Sequence, residues 1–206
     1  MPTNFPTSVD NFTNPTANDS LNLPSHSTQH ANANDAIEAV ESYVLQGLNV
    51  AEFLHVRDEK AQNTAGGTFT SGAWRTRDLN TVKTNTITGA SLATNQITLP
   101  AGTYWIESVA PAHSYNGNEI SNHQTRWRNI TAGTTELTGR NAVAYANVTT
   151  VDAQTDSTLK GSFTITGSTV YELQHICTAT SPTDGFGNAG NFGTEVYSEI
   201  VIWKVG

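Results

Sequence analysis

"NQITLPAGTYWIESVAPAH", residues 95–113, reads as two strands on either side of a Pro100-Ala101-Gly102 turn. The pattern extends outward from it. "LNVAEFLHVRDEK", residues 48–60, alternates in the manner of a strand, and "QTRWRNITAGTTELTG", residues 124–139, has the form of a hairpin. "STLKGSFTITGSTVYELQHICTAT", residues 157–180, gives two more strands across Thr-Gly-Ser-Thr. "EVYSEIVIWKV", residues 195–205, closes the set. Short strands between Gly, Pro and Asn turns predict an all-β sandwich or jelly roll over residues 48–206, a length that suits one domain.

Composition narrows the class. Only 14% of the 206 residues are charged, against a typical quarter, and Thr, Asn, Ser, Gly and Ala fill the gap. Such a chain suits a β-rich extracellular protein or a durable particle. The net charge of -8 argues against a nucleic-acid partner, because phosphate binding needs a basic surface. The single cysteine, Cys177, cannot form an internal disulfide and reads as a buried structural thiol. No apolar run is long enough for a membrane helix, so no membrane insertion is expected. The first residues lack the basic and apolar regions of a secretory signal. Arrival outside a cell would then come through assembly into a particle.

Residues 1–24 hold Pro2, Pro6, Pro15 and Pro24, four of the seven prolines. Proline forbids a long helix there, and the polar remainder cannot build a core. The expectation is an extended docking arm with Phe5, Val9, Phe12, Leu21 and Leu23 as anchors. From Ser25 the rhythm changes. Ala33, Ile37, Val40 and Val44 are spaced four, three, four, the rhythm of a helical seam. Ala36 and Tyr43 flank it, while Asp35, Glu38 and Glu41 lie on the wet side. Pro24 and its neighbouring serines can start this helix and Gly47 can stop it, giving residues 25–47. Barely two heptads are too few for an isolated coiled coil. Identical neighbours or the following domain must stabilise it.

"FTNPTANDSLNLPSHSTQHANANDAIEAVES", residues 12–42, resembles the N-terminal segment of many bacteriophage virion proteins, tail fibres and minor tail proteins above all. The portion "PSHSTQHANANDAIEA" carries most of that resemblance, and "RDEKAQNTAGGTFTSGAWRTRDLNT" is similar to the opening of a β-domain at the end of such proteins. The remainder resembles the jelly roll of the complement and tumour-necrosis-factor superfamily. Pro100, Gly102 and Tyr104 fit its strand-turn-strand pattern. "LKGSFTITGSTVYELQ" fits a later element, and "SEIVIWKV" fits its closing apolar strand. The resemblance implies a homotrimer whose apolar inner faces pack around a threefold axis, with Ile200, Ile202 and Trp203 in the trimer core of the head.

Several residues are candidates for chemistry. His26 and His30 stand four apart and would share a helical face, yet two imidazoles fall short of a zinc site's three or four ligands. A docking or helix-start role is the expectation for them, with no metal and no cofactor. In "TRWRNI", Arg126 and Arg128 fall on one face of a strand and Trp127 on the other. The choice is between a sugar or phosphate platform and a buried tryptophan with solvated arginines. The glycine-rich loop at 177–195 carries Phe186 and Phe192, which either contact a receptor or pack beneath the loop. No lysine follows in phosphate-loop spacing.

Catalytic signals are scarce. There is no G-x-S-x-G elbow. Asp58 and Glu59 are adjacent and face opposite sides of a strand, so they form no acid/base pair. Asp78, behind Arg75 and Arg77, suits a structural ion pair. The reading that results is a non-enzymatic trimeric tail fibre or adhesin, attached to other virion proteins by its arm and meeting a host surface glycan or protein with its head. A capsid decoration protein is the alternative. A polysaccharide depolymerase would need a cleft with paired carboxylates, and the head offers few acids.

Overall fold

The computed structural model describes residues 25–47, 52–115, 122–145 and 152–206; the arm anchors Phe5, Val9, Phe12, Leu21 and Leu23 lie outside these. The chain divides into two units, Met1–Val50 and Ala51–Gly206.

In the first unit, helix α1 spans His26–Gly47. Ser25 precedes it, and its carbonyl accepts the first helical bond from the Gln29 N–H at 3.0 Å. Ala33, Ile37, Val40 and Val44 are all exposed on a single chain.

Among its described residues the second unit contains eleven strands. They are β1 (Glu52–Lys60), β2 (Arg75–Thr76), β3 (Thr81–Asn85), β4 (Ser91–Ala93), β5 (Gln96–Leu99) and β6 (Gly102–Ser114), followed by β7 (Asn122–Asn129), β8 (Thr134–Val143), β9 (Ala153–Ile165), β10 (Thr169–Cys177) and β11 (Glu195–Lys204). One sheet has the order β3-β1-β11-β6-β9 and the other β4-β5-β10-β7-β8, with β2 pairing β10. All pairings are antiparallel. The first long strand lies beside the last, and the chain repeatedly crosses between sheets, which is a jelly-roll sandwich.

The Pro100-Ala101-Gly102 turn makes one such crossing, because β5 and β6 belong to different sheets. Proline suits that place, having no N–H to give a ladder. Its carbonyl instead accepts the Tyr104 hydroxyl at 2.8 Å. Thr-Gly-Ser-Thr likewise carries the chain from β9 to β10 across the sandwich. The segment 124–139 is a true hairpin, β7–β8.

Alternation sends Leu54 and Val56 of β1, Tyr104 and Ile106 of β6, and Trp127, Tyr171 and Leu173 of the facing sheet into one core. Trp127 stacks on Tyr171 at 4.9 Å, and Phe163 packs against both rings. Ile200 and Ile202 are fully buried in that same core. They therefore do not form the trimer core expected of them, since the phase of β11 turns them into the sandwich. Their neighbours Val201 and Trp203 point outward.

Candidate functional site

The outward face of the five-stranded sheet is built by the other phase of the same strands. Phe53 of β1 stands opposite Trp203 of β11, which stands opposite Trp105 of β6, then Ser162 of β9. The next row is His55, Val201, Glu107 and Lys160, and the one after it Arg57, Glu199, Val109 and Thr158. Three aromatic rings thus lie side by side across three strands, with Val201 and Val109 in the next two rows. Trp105 remains 40% exposed on a single chain.

The charges on this face are already paired within the chain. Glu199 accepts from Arg57 and lies 2.7 Å from the His55 Nε2. Lys160 donates to Glu107 at 2.8 Å, and the Trp105 indole donates to the same carboxylate at 3.3 Å. These bonds, the Lys160 one foremost, hold the Glu107 carboxyl below the usual range. A shallow depression among Trp105, Glu107, Trp203, Lys204 and Val205 adjoins a second one floored by Val109 and Val201. A sheet face with an aromatic row and self-paired charges can be covered by another protein surface without burying an unpaired ion. Paired charges of this kind offer no free acid/base couple.

At one end of the sandwich lies a buried polar cluster. Arg77 is fully buried. Its Nε donates to the Ser198 hydroxyl at 2.7 Å, and its Nη atoms donate to the carbonyls of Pro111 and Phe186 at 3.2 and 2.8 Å. Burial pushes it down to about 10, while Asp58, Asp78 and Asp156 act to raise it, so it stays charged at neutral pH. The expected ion pair of Asp78 with the arginines is not formed. Asp78 instead accepts from Lys60 at 3.0 Å, as the buried Asp58 does at 2.8 Å.

The loop after Cys177 covers this end. Phe186 is buried, with the Arg77 guanidinium 4.0 Å from its ring centre and the tilted Phe69 ring centred 4.6 Å away. It is not available to a receptor. Its backbone N–H donates to the Gly67 carbonyl and the Gly187 carbonyl accepts from Gly66, which ties the loop to a distant segment. Gly187 is required there: its φ is 138°, and a side chain would run into the Tyr197 ring. Phe192 has the opposite fate, at 99% exposure. The strand-end Glu195 carboxylate accepts from the backbone N–H groups of Asn63, Gly190 and Asn191 at 2.8–3.0 Å, which hold its carboxyl below the usual range. Phe192 is thus an apolar ring on a clamped loop.

On the other sheet, Arg126 and Arg128 share the outer face while Trp127 is fully buried. The Arg126 guanidinium lies over Trp74 at 4.3 Å, and two of its nitrogens donate to the Gln174 side-chain oxygen at 2.9 and 2.6 Å. Much of its bonding capacity is spent inside the chain. Trp74 was not legible as its partner, because nothing in local spacing brings residue 74 to β7.

Two buried histidines belong to the polar end. His123 Nδ1 lies 2.9 Å from His175 Nε2, and His123 Nε2 lies 2.9 Å from the Thr155 hydroxyl. Burial first, then the Arg77 charge, pushes His123 down to about 4. His175 is pushed well below its ordinary value by burial, Arg77 and His123. In the unfolded chain both take protons near pH 6.5. Their contribution is therefore complete above that pH and is lost as pH falls toward 4. For His123 the loss is about 3 kcal/mol at about 1.4 kcal/mol per unit. Urea midpoints should fall between pH 6.5 and 4.5, and His123→Asn should flatten that fall. Identical midpoints across the range would show that these imidazoles do not resist protonation.

Among the described residues, no group of three or more His, Cys, Asp or Glu side chains converges as a metal site, and Cys177 is a buried free thiol. No protein-family model and no curated protein matches the chain. Among solved structures it is similar to the globular domain of zebrafish complement 1qA protein. The identity is 12%, over 76% of this chain and 98% of that one, with a TM-score of 0.41. A likeness at that level carries no functional argument.

Proposed function

We propose that the protein is a homotrimeric structural component of a bacteriophage virion, a short tail fibre or adhesin. Its N-terminal arm docks on other virion proteins, α1 gathers three copies, and the head meets a host-surface glycan or protein. The reading assigns no catalysis. The observation that carries the assembly is the row Phe53–Trp203–Trp105 on the outer face, partly buried at Phe53 and Trp203 and exposed at Trp105 on one chain. The exposed seam of Ile37, Val40 and Val44 supports it independently. The virion setting rests on the resemblance of residues 12–42 to phage appendage proteins.

Host contact is assigned to Phe192, with Arg128 as a secondary candidate. A pre-organised aromatic anchor loses little freedom on binding and can dominate an interface. Three weak sites on one trimer would gain by avidity. Phe192→Ala should leave assembly unchanged and reduce adsorption of phage to host cells by at least about tenfold. Deleting residues 1–24 should leave a folded trimer that no longer joins the virion. If Phe192→Ala or a swap of loop 181–193 instead blocked incorporation and never altered adsorption, the capsid-decoration reading would replace this one. Copy number per particle separates the two as well, few for a tail component and hundreds for a lattice clamp.

A further inference from the structure

His26 and His30 continue the helical seam. Counted back from Val44, the positions 44, 40, 37, 33, 30 and 26 are spaced four, three, four, three, four. In a parallel bundle held by Ile37, Val40 and Val44, the two imidazoles of each chain face those of the other chains. Polar side chains at such positions cost stability unless they meet a partner. The two rings already meet through their Nε2 atoms, which share a hydrogen bond. The Nε2 atoms lie 3.0 Å apart, with ring centres at 4.4 Å and planes near perpendicular. Two nitrogens each about 2.1 Å from one ion, at right angles to each other, are separated by about 3.0 Å.

We propose that His26 and His30 form a chelating edge for a divalent transition-metal ion shared by three copies of the chain. This rests on the trimer reading above. One chain supplies only two ligands, consistent with no larger group converging among its described residues. Three such edges around a threefold axis give six imidazole nitrogens, an octahedral set suited to nickel, cobalt or iron. The positive ends of three helix dipoles oppose a cation there, so the imidazoles must supply the binding. The ion would fix the axial register of the helices at the point where the arm ends.

The test uses tag-free full-length chain stripped with EDTA and titrated with nickel chloride in a calorimeter at neutral pH. Sedimentation equilibrium is run in parallel, with and without nickel. The expected result is one ion per three chains, bound about a hundredfold more tightly than by the His26→Ala/His30→Ala variant. Both residues are exposed, so the variant should keep its helix by far-UV circular dichroism. A trimer that binds no more nickel than the double variant would overturn the axial site and leave the assembly reading standing. A monomer binding one ion per chain, or none, would overturn both.

Discussion

On the proposed trimer, replacing Trp105 and Trp203 together with Glu is expected to turn the head, residues 51–206, into a folded monomer. Both side chains lie on the outer face, in the row with Phe53 and Ser162, and Trp105 adds one indole bond to Glu107 on the same face. Their loss therefore removes little from the sandwich interior. Placing two carboxylates per chain in a covered seam costs roughly 4 kcal/mol or more per chain, about a thousandfold in association. Sedimentation velocity would read the change, with circular dichroism confirming the fold. A variant that stayed trimeric at micromolar concentration would place the contact elsewhere. Ile200→Ala is the control that separates face from core. It should cost about 2–5 kcal/mol of folding stability and leave the oligomer unchanged, because that side chain is buried inside one chain.

The second large effect is at Arg77. Arg77→Met keeps much of the volume but removes the donors to Ser198, Pro111 and Phe186. Two buried carbonyls then lose a charged donor, and Phe186 loses the cation above its ring. The expected loss is about 3–5 kcal/mol in urea denaturation. Amide exchange should accelerate first in the tied segments around Gly66 and Phe186. A loss under about 1 kcal/mol would mean that water replaces the guanidinium freely.

Much of the fold was legible because one property, the period of two, reports it directly. The strand runs and the β7–β8 hairpin are visible in their alternation and turn residues, and the placing of Trp127 opposite Arg126 and Arg128 follows from the same rule. The phase of β11 was not legible. Ile200 and Ile202 alternate with Val201 and Trp203, so both faces are apolar and neither betrays which one meets the core. The fates of Phe186 and Phe192 were equally hidden. Both sit among glycines, and only pairing with Gly66 and Gly67, more than a hundred residues earlier, decides which one is swallowed. Arg77 looked like half of a structural ion pair because burial of a guanidinium depends on two carbonyls and a hydroxyl from three distant segments. Distinguishing the crossing at Pro100 from a hairpin also required knowing which sheet each strand joins.

The pairing of β1 with β11 has a mechanical consequence. Glu52 meets Lys204 at one end of the ladder, and Lys60 meets Glu195 at the other. A tether attached ahead of Glu52 pulls on the first end. A grip on Phe192, three residues before Glu195, pulls on the second. Tension between them runs along the strand axis, across hydrogen bonds that lie perpendicular to it. The ladder is then loaded in shear, with its bonds sharing the force together, and cannot be opened one rung at a time as a zipper would be.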